Sequence, residues 1–250
     1  METLALKTFL LVGGMLIVTA VATRLNKRYE TKWEFWGLFL GILALIFIIP
    51  AVSLTLSLAL TFLLALLMGL MIGPGIRSLM LEFVIRKRLK EQGYDKARIK
   101  SLPPEEHESL AREIETEFEH GSHANLAADW NRVLSLAIFS TAGITAATAF
   151  VVFYLGYDFS FLGMILFVAL LGLIVTSLLN IFFFRSPLMR LISSYIGAVI
   201  FSAYLLYDFS RLRARARDAS WETAIDMAVS IYLDIINLFM DLLDIISSSS

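Results

Sequence analysis

Long hydrophobic runs, broken by short polar connections, dominate the pattern of residues along this chain. Seven runs stand out, at 4–23, 35–49, 51–72, 133–154, 159–184, 188–209 and 224–246. The hydrocarbon core of a bilayer is about 30 Å thick and takes about 20 helical residues to cross. None of the runs alternates between apolar and polar residues as barrel strands do, and backbone polar groups in lipid must be satisfied within their own segment. The pattern therefore predicts an all-α membrane protein, a bundle of seven transmembrane helices.

The second and third runs meet at Pro50 with no charged residue between them. They form either a tight helical hairpin or one long kinked helix, and at about 1.5 Å per residue their combined length is too great for a single crossing. The string Gly73-Pro74-Gly75 predicts the end of the third helix. Small residues at helix-packing spacing, in Gly69-x-x-x-Gly73 and Gly143-x-x-x-Ala147, predict close contacts between helices.

Residues 81–130 have a different composition, rich in lysine, arginine and glutamate and divided by Pro103-Pro104. We expect two amphipathic helices there, at about 79–92 and 104–119, outside the membrane. Pro104-Glu105-Glu106 is typical of a helix start, because proline fits the first turn and acidic side chains favour the N-terminal end of the helix dipole. The chain thus divides into helices 1–3 (1–80), a charged extramembrane insert (81–130), helices 4–7 (131–246) and a tail (247–250).

Composition supports an integral membrane protein and narrows its chemistry. Hydrophobic residues make up 58% of the chain and charged residues only 17%, whereas soluble domains are about half apolar and about a quarter charged. The net charge of −1 argues against nucleic acid as a partner. Cysteine is absent, as are the G-x-S-x-G, P-loop and H-E-x-x-H motifs, so we expect neither an enzyme nor a cofactor. The segment that leads into the first run carries Glu2 and no basic cluster, so we expect a retained helix rather than a cleaved signal peptide.

Two aspartates lie within the last two hydrophobic runs, where an ionisable side chain is costly and marks a functional site. Asp208 lies near the end of the sixth run, and Asp234 lies midway along the seventh. Two carboxyl groups that share a proton titrate as a unit, so a contact between them would make the pair sensitive to pH. The sequence leaves open whether Asp208 reaches Asp234.

Asp234 belongs to a polar stripe along one side of its helix. At 100° per residue, the stripe comprises Asp226, Ser230, Asp234, Asn237, Asp241 and Asp244. It is about 27 Å long and has no compensating base in its own helix, so we expect it to attract cations, calcium at Asp234 among them, and to repel anions. For Asp226 and Asp244, solvated helix ends are an equally good interpretation.

The C-terminal half resembles the Bax inhibitor-1 (TMBIM) family of seven-helix membrane proteins. The residues that carry the resemblance are Gly197-Ala198-Val199-Ile200-Phe201, Tyr207-Asp208, Tyr232-Leu233-Asp234, Ile236-Asn237-Leu238-Phe239, Asn180-Ile181-Phe182 and Asp158-Phe159-Ser160-Phe161-Leu162-Gly163. The resemblance implies a pH-sensitive calcium leak across a membrane and a bundle with the seventh helix at its centre. It also implies that Asp208 and Asp234 match the family's proton-sharing pair, as pH sensor and gate. The bacterial inner membrane is the expected location.

The chain departs from the family pattern at several positions. Bacterial relatives often carry a base between helices 2 and 3 that pairs with the first aspartate, whereas here that connection is Ile49-Pro50-Ala51-Val52-Ser53. Asp244 stands where relatives tend to have a basic residue, and the 81–130 insert is not a usual family feature. The positive-inside rule places the insert in the cytoplasm and the N-terminus outside, while the resemblance implies a cytoplasmic N-terminus, so orientation stays open.

Other interpretations of the charged residues remain. His120 and His123 lie among glutamates of the insert, as does His107, and they form either a weak metal or pH site or part of a solvated helical hairpin. The insert would be the docking surface if the chain is instead a regulatory protein that binds a membrane protease or a signalling partner. A proton-coupled transporter and an aspartyl protease are further alternatives, and the strings around the aspartates do not resemble the latter.

Overall fold

The structure is a computed structural model that describes residues 2–25, 32–94, 109–110, 112–114, 116, 124–184 and 186–249. Its long helices are α1 (Glu2–Ala22), α2 (Lys32–Ile48), α3 (Leu54–Glu91), α4 (Ala124–Phe153), α5 (Gly163–Leu179), α6 (Pro187–Ala214) and α7 (Trp221–Ser249). Short 3₁₀ segments lie at Ile49–Ala51 and Ser160–Leu162, and a π-helical turn at Asn180–Phe184. The described residues contain no strand, which confirms the all-α prediction.

Among the described residues, six segments are long and apolar enough to cross a bilayer. They are Thr3–Ala22, Trp33–Ala51, Leu54–Glu91, Ala127–Phe153, Ser160–Phe184 and Pro187–Ala214. Their outward faces are strongly apolar: in α5, for example, Leu166 is buried while Phe167 and Val168 are exposed. An apolar surface of this extent requires lipid rather than water, so the protein is an integral membrane protein. The acidic helix α7, with 29 residues, falls outside these six.

The second and third hydrophobic runs form a helical hairpin. After α2 the chain passes through the 3₁₀ turn at Ile49–Ala51, and Val52 then adopts an extended conformation that breaks the helix. The Ser57 hydroxyl donates a hydrogen bond of 2.9 Å to the Ile49 carbonyl and so fastens the turn to the start of α3. The prediction of a hairpin is confirmed, and the interpretation as one kinked helix is wrong because Pro50 lies in a true turn.

The predicted end of the third helix at Gly73-Pro74-Gly75 is wrong, because α3 continues through Pro74 to Glu91. Proline removes one backbone donor and is tolerated in a membrane helix when neighbouring segments support it. The helix ends at Glu91, and two residues later Gly93 has a φ of +86°, which glycine adopts easily. The Gly93 and Tyr94 amides donate to the Lys90 and Leu89 carbonyls, which is the Schellman arrangement. The helix predicted at about 79–92 is therefore the last part of α3.

Only one of the two predicted small-residue contacts occurs. At Gly69, a Cβ atom would lie 2.5 Å from the Ala22 Cβ and 2.6 Å from the Thr19 carbonyl oxygen, so α1 and α3 touch along their backbones. A Cβ atom on Gly143 would meet nothing within 4 Å in the part of the chain that the structure describes. The second prediction is wrong because this side of α4 faces outward, as the exposed Phe139 shows.

Helix α7 packs against α1, α3, α4 and α6, and most of its apolar side chains are buried. Those side chains join a large hydrophobic core with α1, α3 and α6. A second core lies beside the C-terminal end of α7, where Leu243 packs with Phe83 of α3 and Trp130 of α4. Ile114, one of the few described residues between α3 and α4, is also buried in this second core.

Candidate functional site

The carboxyl groups of Asp208 in α6 and Asp234 in α7 lie together in the interior. Asp208 is 3% exposed and Asp234 is 7% exposed. Their side chains are within hydrogen-bonding reach of each other. Ionised carboxylates only accept hydrogen bonds, so a bond between these two groups requires that one of them holds a proton. The structure thus places the two predicted residues in contact, in a geometry that a shared proton stabilises.

A base accompanies Asp208 from within its own helix. The Arg211 Nη1 atom lies 3.0 Å from the Asp208 Oδ1 atom, one helical turn away. The other end of the guanidinium is 3.5 Å from the Asp226 carboxylate, which also accepts a bond of 2.6 Å from Arg215. The α2–α3 connection offers no basic partner for Asp208, and Arg211 of the same helix pairs with it instead.

The middle of the polar stripe carries carboxylate oxygens with no partner among the described residues. One oxygen of Asp234 and one of Asp241 are buried and unpaired. The Asn237 amide donates to the Leu233 carbonyl of its own helix at 2.8 Å, and Ser230 is half-buried. Asp241 packs against Gly197 of α6, where a Cβ atom would lie 2.2 Å from its Oδ2 atom. Glycine at this position therefore makes room for the carboxylate.

The far end of the stripe is also paired with a base. Asp244 is buried, accepts a bond of 2.8 Å from the Ser194 hydroxyl, and lies 3.3 Å from the Arg190 Nε atom. Arg190 in turn makes a two-bond contact with Glu82 of α3, at 2.8 and 2.6 Å. The stripe has no base in its own helix, as the sequence indicates, but arginines of the neighbouring helix α6 reach both of its ends. Asp226 is partly exposed, with 42% of its side chain accessible, whereas Asp244 is not a solvated helix end.

Local contacts fix the position of α7. The Tyr232 hydroxyl lies 2.6 Å from the Thr19 hydroxyl of α1, which also donates to the Ala65 carbonyl of α3. At the start of α7, Ser220 caps the helix by accepting a bond from the Thr223 amide. Hydrogen bonds from the Thr223 hydroxyl and from Ser220 hold the pKa of Asp218, in the connection before α7, below its ordinary value. The helix that carries Asp234 is thus held at its first turn and at its middle.

The family string beginning at Asn180 has a structural role. The Asn180 amide donates to the Ser186 carbonyl at 3.1 Å and its oxygen accepts from the Ser186 amide at 2.9 Å. These bonds span the π-helical turn between α5 and α6. Ser186 then caps α6, so Asn180 positions the start of the helix that carries Asp208.

No ready-made metal site is seen in the described ranges. No group of three or more histidine, cysteine, aspartate or glutamate side chains there is arranged to hold a metal ion. Calcium at Asp234 stays a prediction. The predicted site at His120 and His123, with the nearby His107, lies outside the described residues.

The sequence analysis did not find Arg190 as the partner of Asp244, Glu82 as the partner of Arg190, or Thr19 as the partner of Tyr232. A signal for Arg190 exists, because Arg190, Ser194 and Gly197 share the face of α6 that ends at Asp208. If α6 and α7 are taken as antiparallel neighbours, that face lies opposite Asp244 and Asp241. Glu82 offers no such signal, since it lies 108 positions before Arg190 on a helix that was expected to end earlier.

Comparison with known proteins shows which family the chain resembles. A family model described as "Inhibitor of apoptosis-promoting Bax1" matches residues 124–250, which contain α4 to α7 and both buried aspartates. LIFEGUARD 4 of Arabidopsis thaliana is 41% identical over 115 residues, 45% of either chain.

Bacterial relatives are also found. An uncharacterized protein of Campylobacter jejuni is 41% identical over 91 residues, which is 36% of this chain and 37% of the relative. One of Helicobacter pylori is 36% identical over 89 residues, 36% of either chain. The chain spans less than half the length of these curated relatives. Because the family match covers half of its length, the chain belongs to the Bax inhibitor-1 family.

Proposed function

We propose that this protein is a pH-sensitive cation leak channel, with calcium as the conducted ion, gated by the Asp208–Asp234 pair. The contact between the two buried carboxyl groups is the observation that carries the proposal. We further propose that α7 is the seventh transmembrane helix and lies at the centre of the bundle, in line with its packing against α1, α3, α4 and α6. Bacterial relatives support a bacterial inner membrane as its location.

The gate works through the charge of the pair. With one shared proton, Asp208 and Asp234 hold α6 and α7 together and Arg211 balances the remaining negative charge. Loss of that proton places two negative charges side by side in a medium of low dielectric, where their repulsion is strong. A change in proton occupancy therefore shifts the balance between two arrangements of α6 and α7.

The rest of the stripe forms the route for the ion. Ser230, Asn237 and Asp241 offer oxygen atoms along α7, and calcium prefers oxygen ligands. Asp226 and Asp244 lie at the two ends, where negative charge concentrates cations from solution. Partial coordination along several oxygens suits a leak, because an ion that is held weakly at each site can also leave.

Calcium uptake by proteoliposomes over a range of pH tests the gate. Asp234→Asn keeps the shape of the side chain but removes its titration, so the pH dependence of uptake should become flat. The matched control is Asp158→Asn, since Asp158 is exposed in the connection before α5 and bonds to Ser160 rather than to either aspartate of the pair. A variant at Asp234 with the same uptake and the same pH response as the wild type contradicts the assignment.

The second candidate is a regulatory protein that acts through the 81–130 insert. The observation that favours it is the contact of two insert residues with the long helices: Glu113 pairs with Arg88 near the end of α3 at 3.3 Å, and Ile114 is buried in one core with Leu243 of α7. A partner that binds the insert and displaces Ile114 would therefore change the packing of α7. If this function holds, deletion of residues 97–119 abolishes function in cells while Asp208→Asn and Asp234→Asn leave it intact.

A further inference from the structure

A second cluster of charged residues lies at the opposite end of the polar stripe from the aspartate pair. Arg190 is its centre: the two terminal nitrogens bind the two oxygens of Glu82, and the Nε atom faces Asp244 at 3.3 Å. The Ser194 hydroxyl completes the contact with Asp244 at 2.8 Å. A two-bond contact between arginine and a carboxylate is among the stronger polar contacts in proteins and fixes both side chains in one plane.

This cluster ties three helices together. Glu82 belongs to α3, Arg190 to α6 and Asp244 to α7. Arg86, one turn after Glu82, adds a bond of 3.2 Å to the Ser247 carbonyl near the end of α7. The charged groups near Asp244 in the described part of the chain are then Arg190, Arg86, Glu82 and, one turn earlier in α7, Asp241.

The cluster lies on the proposed ion route along α7 but apart from the Asp208–Asp234 pair. Ten residues separate Asp244 from Asp234, which corresponds to about 15 Å along the helix axis. Between them, Asp241 packs against Gly197 and leaves one oxygen unpaired. A cation that travels along α7 past Asp234 and Asp241 would therefore meet the Arg190 guanidinium before it leaves the bundle.

We propose that Arg190, held by Glu82 and Asp244, is a second barrier to cations, and that it closes the end of the stripe opposite the aspartate pair. This inference rests on the proposed leak function. The guanidinium places a permanent positive charge at this end of the stripe. Its hydrogen bonds to Glu82 and its ion pair with Asp244 keep α3, α6 and α7 together there. The aspartate pair then sets the pH response, and Arg190 sets how much calcium passes at any pH.

The barrier predicts opposite effects from removal of opposite charges. In calcium uptake by proteoliposomes, Arg190→Gln should raise flux about tenfold at every pH, and the steep pH dependence should stay in place. A tenfold change corresponds to about 1.4 kcal/mol. Asp244→Asn should lower flux, because the arginine then lacks part of its counter-charge. Arg190→Lys keeps the positive charge and should stay close to the wild type.

Two controls separate charge from loss of fold. Arg217→Gln removes an exposed arginine from the connection between α6 and α7 and should leave flux unchanged. The chain has no cysteine, so spin labels at Glu91→Cys and Ser249→Cys report the distance between the ends of α3 and α7 without further changes. This distance should increase in Arg190→Gln and remain as in the wild type in Arg190→Lys.

The possible results distinguish this inference from the proposed function. If the wild type shows pH-dependent flux and Arg190→Gln fails to raise it, the second barrier is overturned and the aspartate gate stands. If no variant shows flux at any pH, the leak function fails. The spin-label distance then still tests whether Arg190 ties the ends of α3 and α7 together. A longer distance in Arg190→Gln then supports the tie between the helices, and an unchanged distance overturns it.

Discussion

Replacement of Gly69 by alanine tests the contact that sets α1 against α3. The added methyl group would lie 2.5 Å from the Ala22 Cβ atom and 2.6 Å from the Thr19 carbonyl oxygen. Ordinary contacts of a Cβ atom begin near 3.4 Å, so α1 has to retreat by about 1 Å. Thr19 is also the residue whose hydroxyl joins Tyr232 of α7 to Ala65 of α3, so the retreat strains that junction as well.

The size of the effect follows from two opposing contributions. Alanine in place of glycine inside a helix stabilises by about 0.5–1 kcal/mol, because glycine loses more backbone freedom on folding. Insertion of a methyl group into a packed interior destabilises by about 1–3 kcal/mol. For Gly69→Ala the second contribution dominates, since both obstructing atoms belong to or adjoin backbone, and we expect a net loss of about 1–2 kcal/mol.

Reversible unfolding in detergent micelles measures this difference, with Gly143→Ala and Gly13→Ala as matched controls. A Cβ atom at either control position meets nothing within 4 Å among the described residues, so both variants should be as stable as the wild type or slightly more stable. Equal stability of Gly69→Ala and Gly143→Ala would show that α1 and α3 do not touch as described.

Three further outcomes follow from the contacts of α7 and α6. Tyr232→Phe loses the 2.6 Å bond to Thr19 and should reduce the free energy of unfolding by about 1 kcal/mol. In a double-mutant cycle with Thr19→Val the two losses should not add. Arg211→Gln removes the cation beside Asp208, which should move the midpoint of calcium flux to higher pH; an unchanged midpoint would exclude Arg211 as the partner of the pair. Hydrogen bonds from Thr223 and Ser220 lower the pKa of Asp218 from its ordinary 3.8. These bonds therefore support the start of α7 above about pH 4 and are lost as the pH falls further. In an NMR titration, Thr223→Val should raise the Asp218 midpoint towards its ordinary value.

Hydrophobic patterning predicts the helices well because lipid imposes a simple rule on composition. The hairpin at Pro50 and the contact at Gly69 follow from residue types whose backbone behaviour is local. The prediction of a helix end at Pro74 is wrong because the rule that proline ends a helix comes from soluble proteins, where water satisfies the backbone groups of a broken helix. In the bundle, neighbouring helices support α3 through this point, and the helix ends only at Glu91, two residues before Gly93.

The acidic residues of the site stand out in the sequence by their residue type, and the basic residues do not. Asp208 and Asp234 stand out because an acid in an apolar run is rare. The helix period alone places Asp241 and Asp244 on the same side of α7 as Asp234. Arg190 and Arg211 lie at the ends of α6, where an arginine is ordinary and carries no signal of its own. Their pairing depends on the register between two antiparallel helices, which comes from packing rather than from any local pattern.

The unbroken course of α3 through Pro74 gives the protein a mechanical connection between its interior and its outer end. Glu91 lies seventeen residues beyond Pro74, about 25 Å along the helix axis. Proline positions are where helices bend most readily, and a swing of about 5° there would carry the tip of the rod sideways by about 2 Å. Because Leu89 near this end of α3 and Ile114 share one hydrophobic core, a bend at Pro74 would displace that contact as well.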